Sequence, residues 1–194
     1  MNEFSIVCRV LGSLFNRSPQ DPVLAPLFDL IQKGKLQEHW PLEQDALLTR
    51  LRESADPQAL AAEYDHLFVG ENRAVSPYRS DYVEGATEQD VRAFLQQRGM
   101  PLGENPADSF GSMLLAASWL EDQSAEDEVG AQTALFDDYL FPWCGKFLGK
   151  VEAHATSGFY RTLSEISREA LQAMRDELEE LAASDIENED DDEQ

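Results

Sequence analysis

Apolar residues in this chain recur at three- and four-residue spacing and almost nowhere alternate, which constrains the fold more than any other feature. Phe4, Val7, Cys8, Val10, Leu11, Leu14 and Phe15 form one stripe over residues 3–16. The punctuation agrees with the periodicity. Asp21-Pro22 reads as an N-cap with proline in the first turn, opening a helix through about Gln32 that ends at Gly34. Pro41 precedes a helix over about 43–54 with Leu47, Leu48 and Leu51 inward. Asp56-Pro57 repeats the start signal for a helix carrying Leu60, Tyr64, Leu67 and Phe68, stopped at Gly70. Thr87 to Asp90 resembles a capping box, with aspartate at its fourth position, before Val91, Phe94, Leu95 and a stop at Gly99.

Phe110 to Leu120 is apolar or small on every side, as expected of a helix in the middle of a bundle. A further helix is expected from Ser124 or Ala125 to about Leu140, where Pro142 breaks or kinks it. Trp143, Phe147, Leu148 and Val151 then carry a new stripe. Phe159, Leu163, Ile166, Ala170, Met174 and Leu178 define a last long helix from Thr156-Ser157. No Asn-Gly or Asp-Gly hairpin turn occurs, and no fixed-period repeat. The expected fold is therefore all-α, a single globular bundle of about eight to ten helices with no sheet.

Charge divides the chain in two. The 194 residues carry 38 acidic against 15 basic side chains, a net charge of −23. Seven of the acids fall between Asp185 and Glu193; without them 31 stand against 15, still −16. Residues 1–182 are read as the helical domain and 183–194 as an acidic disordered tail. So acidic a surface repels phosphate backbones and anionic lipid, which excludes nucleic acid and stable membrane association as expected partners and suits a basic peptide or protein. No run of eighteen apolar residues encodes a membrane span, and Met1-Asn2-Glu3-Phe4 lacks the basic and apolar regions of an export signal. A cytoplasmic protein is expected, with Cys8 and Cys144 reduced and buried.

Catalytic machinery is not evident. There is no glycine-rich phosphate loop, no G-x-S-x-G elbow and no H-E-x-x-H, and His39, His66 and His154 lie far apart. Glu63, Asp65 and His66 crowd together in sequence, but neighbouring helix residues do not share a face. The expectation is no enzyme, no cofactor and no metal.

Two loop-borne constellations remain. In the first, Tyr64-x-x-Leu67-Phe68-x-Gly70 feeds Ser76-Pro77-Tyr78-Arg79-Ser80 within an irregular stretch over 71–86. That stretch is long for a bundle connection. Its aromatics either form a recognition lip or only anchor the loop to the core. In the second, Pro106-Ala107-Asp108-Ser109 opens a helix; Asp108 either caps it, the commoner role, or faces a cationic ligand.

These segments, in this order and spacing, resemble the TorD/DmsD/NarJ family of redox-enzyme maturation chaperones. So do Leu140-Phe-Pro-Trp143-x-x-x-Phe147 and Phe159-Tyr160-Arg161, and the likeness covers the chain to about residue 180. The resemblance implies a TorD-like all-α chaperone. It would bind a client metalloenzyme, sometimes through a twin-arginine signal peptide, and assist cofactor insertion. Carried over by position, the partner- or peptide-binding residues are Tyr64, Leu67, Phe68, Pro77, Tyr78, Arg79, Ser80, Pro106, Asp108 and Ser109.

Two departures bear on the client. Ser109 stands where the family's motif has histidine, and Arg79 where a glutamate or small residue is common. Both favour a specialised branch whose client is a soluble zinc-dependent PHP-type hydrolase over an exported molybdoenzyme. A monomer or a dimer swapped through the 71–86 hinge is expected.

Overall fold

The computed structural model describes residues 3–123 and 126–192, with side chains through residue 187. Helix α1 (Glu3–Asn16) buries Val7, Cys8, Leu11, Leu14 and Phe15, the stripe its periodicity predicts. Asp21 then caps a 3-10 turn (Pro22–Leu24) by accepting from the Val23 N–H at 2.9 Å, and α2 (Ala25–Gln32) follows. The chain turns at Gly34, with φ +72°, into a helix that the periodicity does not reveal, α3 (Lys35–His39). Five residues are too few to display a 3.6-residue repeat. Helix α4 (Asp45–Glu53) begins slightly later than expected and buries Leu48 and Leu51, while Leu47 is only half-buried.

Helix α5 (Pro57–Phe68) is capped by Asp56, and α6 (Glu88–Gln97) by a reciprocal box in which Thr87 and Asp90 each accept the other's backbone N–H. Helix α7 (Phe110–Gln123) is the central rod. Phe110, Met113, Leu114 and Ala116 are fully buried on it. The expected helix start at Ser124 or Ala125 lies outside the described residues, and α8 spans Glu128–Ala134. Pro142 does not simply break the chain. A π-helical segment (Leu135–Leu140) absorbs the missing proline N–H and leads into α9 (Phe141–His154). Helix α10 (Gly158–Asp192) buries Phe159, Leu163, Ile166, Ala170, Met174 and Leu178, and it crosses residue 183 without a break. Residues 181–187 on it are exposed.

No strand occurs among the described residues, and the fold is all-α. One isolated antiparallel bridge joins Tyr78 to Ser109. The tightest helix pairing sets the site. Helix α1 lies along α7, and their backbones meet where a Cβ on Gly12 would stand 2.8 Å from the Gly111 carbonyl oxygen, and the reverse. Only a pair of glycines permits that approach. Cys8 and Cys144 are both free thiols buried in the core, and the Cys8 thiol reaches the Met174 sulfur at 3.6 Å. Among the described residues no helix is long and apolar enough to cross a membrane.

Candidate peptide-binding cleft

The end of α5 starts the site. Gly70, at φ +83°, reverses the chain so that 71–86 runs back over the helix terminus. There the Ala74 N–H donates to the His66 carbonyl at 2.9 Å and the Val75 N–H to that of Leu67 at 2.8 Å. Two carbonyls that the helix end leaves unpaired are thereby satisfied. Val75 is buried, the Tyr82 hydroxyl donates to the Ser76 carbonyl at 2.7 Å, and the Tyr82 ring lies 5.3 Å from Trp143. The long loop is thus anchored to the core at Val75 and Tyr82.

The same loop is then stitched to the second motif. Phe110 N–H donates to the Pro77 carbonyl at 2.9 Å, and Arg79 N–H to the Asp108 carbonyl at 3.0 Å. The Asp108 carboxylate, 2% exposed, accepts from Ser80 N–H at 3.2 Å. The capping role considered for Asp108 belongs to Ser109, whose hydroxyl oxygen accepts from Ser112 N–H at 3.1 Å. The Ser109 hydroxyl also donates to the Asn16 side-chain Oδ1 at 3.0 Å, and the Asn16 side-chain Nδ2 donates to the Ser112 hydroxyl at 3.1 Å. This bridge needs the close α1–α7 crossing, since Asn16 is the last residue of α1.

Between these pieces opens a cleft of about 290 Å³, at the lower edge of the range for ligand sites and enough for a few side chains of a ligand. Its floor is Phe15, Tyr64 and Phe68, backed by Phe110 and Phe147 in edge-to-face and tilted contacts 4.8 to 6.2 Å apart. The Tyr64 hydroxyl donates to the Phe15 carbonyl at 3.4 Å. Burial, reinforced by nearby Tyr78, pushes the Tyr64 phenol up to about 12, so it stays a neutral donor.

Of the ten residues expected at the site, Tyr64, Phe68, Pro77, Tyr78, Pro106 and Ser109 line this cleft together. The other four lie apart from the lining. Leu67 is wholly buried in the core. Asp108 lies beneath the loop, and exposed Ser80 contributes its backbone to that latch. Arg79 turns to a separate depression beside α6, 5.0 Å over the Tyr139 ring and 3.9 Å from the Asp90 carboxylate. Sequence reasoning passes over Phe15, Asn16, Val69, Arg73, Asn105 and Ser112. Arg73 and Asn105 sit in loops that the motifs already single out. Asn16 is 93 residues from its partner Ser109, and nothing local announces the pairing.

The cleft contains aromatic faces, amides, hydroxyls and one guanidinium, a set suited to binding. Among the described residues no group of three or more His, Cys, Asp and Glu is arranged to hold a metal ion. The Glu63 carboxylate instead accepts from the Thr156 and Ser157 N–H groups at 3.1 and 3.2 Å, where α10 begins, and His66 is exposed.

Residues 33–149 match the sequence family described as nitrate reductase delta subunit. The chain is similar to the chaperone protein YcdY of Escherichia coli strain K12, 64% identical over 180 residues that span 93% of this chain and 98% of that protein. It is 29% identical over 179 residues, 86% of each chain, to the Tat proofreading chaperone DmsD of Salmonella typhimurium. A probable Tat proofreading chaperone DmsD of Haemophilus influenzae is 26% identical over 192 residues, 92% of this chain and 93% of that one.

Proposed function

The chain belongs to the nitrate reductase delta subunit family, and on that premise we propose that it is a cytoplasmic maturation chaperone that holds a segment of a client metalloenzyme in the cleft between its two motif-bearing loops. Its relatives named as chaperones support this reading. The observation that carries the site is the joining of the two sequence-distant motifs, Pro77-Tyr78 and Asp108-Ser109, by backbone bonds around an aromatic-floored opening. Aromatic and proline surfaces lose little conformational entropy on binding, so they suit recognition of a segment that must later be released.

The reading is tested at the rim. Tyr78 is half-exposed and Pro106 exposed, so truncating them removes contact surface without opening the core. Tyr78→Ala combined with Pro106→Ala is expected to weaken capture of the client enzyme about tenfold or more while the circular dichroism spectrum is retained. Unchanged capture with intact helicity would reject the cleft as the client site. The Tat proofreading names among the relatives raise a twin-arginine signal peptide as the alternative occupant, although the cleft lining offers it no carboxylate. The chain is taken to act as a monomer, with a dimer swapped through 71–86 as the alternative assembly, distinguished by light scattering.

A further inference from the structure

Resting on the reading of the cleft as the client site, we infer that it selects an apolar client segment carrying a carboxylate and disfavours paired guanidiniums. The molecule is strongly acidic, with a net charge of −23. Its cleft is the opposite: among the described residues no aspartate or glutamate lines it, and the one charged side chain there is Arg73. The polar wall, Asn16, Asn105, Ser109 and Ser112, is neutral.

Arg73 is held in place. Its guanidinium sits 5.4 Å from the Tyr78 ring centroid, and one Nη donates to the Gly70 carbonyl at 3.2 Å. Its side chain retains 29% exposure. The Asp81 carboxylate meets it only at 3.5 Å, is itself half-exposed, and already accepts the Ser76 hydroxyl. Arg73 therefore has donor capacity to spare, in an orientation fixed by the aromatic face beneath it. A client carboxylate arriving beside an aromatic or branched aliphatic residue would meet that fork while the apolar side chain entered over Phe15, Tyr64 and Phe68. Two client guanidiniums would meet a fixed cation and no lining acid. Exposed Val69 extends the apolar lip outward.

Fluorescence anisotropy with the full chain tests this, using three labelled peptides: Gly-Ser-Leu-Phe-Asp-Leu-Ser, the same with Asn for Asp, and Gly-Ser-Leu-Phe-Arg-Arg-Ser. The acidic peptide is expected to bind about threefold to fivefold tighter than the neutral one, and the arginine peptide most weakly, with differences that shrink as salt rises. Arg73→Gln should equalise the acidic and neutral peptides, and Arg73→Glu should invert the order, both with unchanged circular dichroism. Equal binding of all three to the wild-type chain, or preference for the arginine peptide, overturns the charge assignment while leaving the cleft in place. Failure of every peptide to bind, or binding that Tyr78→Ala leaves intact, overturns the cleft reading itself.

Discussion

Asp108 and Tyr78 are neighbours across one pair of loops, yet their substitution should read out differently. The Asp108 carboxylate is buried and holds Ser80 N–H, so Asp108→Ala strands a donor at the junction of the two loops. Such a loss costs about 1–3 kcal/mol, and it is expected to appear as a lower melting temperature and faster proteolysis within 71–86. Asp108→Asn, which keeps an acceptor, should recover much of both. Tyr78→Ala should leave melting nearly unchanged and lower client affinity. Glu121 offers a separate test by pH. Burial first, then Glu128, Asp122 and Glu177, raises its carboxyl to about 7, and burial raises Glu128 and Glu177 as well. A carboxyl with a raised folded-state pKa binds more protons folded than unfolded, so its folded form loses stability as pH climbs between the ordinary glutamate range and about 7. Melting temperature is therefore expected to be higher at pH 5.5 than at pH 7.5 from this source, and Glu121→Gln should flatten that slope and stabilise at pH 7.5. A Glu121→Gln variant with the wild-type pH profile would refute the assignment.

Helix α1 and helix α7 carry the site because they approach closely at Gly12 and Gly111. Gly12→Ala would drive a methyl against a backbone oxygen, which nothing flexible can relieve, and the strain is expected to cost about 1–3 kcal/mol. The shift should also part Asn16 from Ser109 and Ser112, so thermal melting and peptide affinity should fall together. This crossing shows where sequence reading runs out. Caps and stripes are local, so Asp21, Asp56, the Thr87–Asp90 box and the α10 stripe are legible in the sequence alone. The π-helical segment ahead of Pro142 is not, because a proline can be met by a kink, a break or a widened turn, and tertiary packing chooses. At the cleft, the two loop motifs are legible as segments, and six of their ten residues do line one opening. Arg79 departs from the expected lining because its side chain finds Asp90 in the next helix and Tyr139, which is sixty residues away in sequence. The cap falls to Ser109 and not to Asp108 because which of two adjacent polar residues caps a helix depends on how the loop enters it.

The molecule as a whole is an acidic bundle whose mouth is lined by one cation and, among the described residues, no acid, and these two charge scales make different predictions. Resemblance to a chaperone family is legible in the order of motifs, and membership in the matched family follows from residues 33–149. The acidic end of α10 bears on a competing picture, in which the tail itself grips the partner. Past Leu178 the helix leaves the core, residues 181–187 are exposed, and no described residue of α10 lines the cleft. Deleting 183–194 removes seven acids and takes the net charge from −23 to −16. With no described residue of α10 in the cleft lining, charge on this end is expected to act on encounter more than on the bound contact, and salt screens it. The truncated chain is therefore expected to associate with its client somewhat differently at low ionic strength but to dissociate at the wild-type rate, with equal affinity near physiological salt. Surface plasmon resonance at two salt concentrations separates the two rates. A dissociation rate that rises sharply on truncation would mean that the tail holds the client, and the cleft would then be at most a secondary contact.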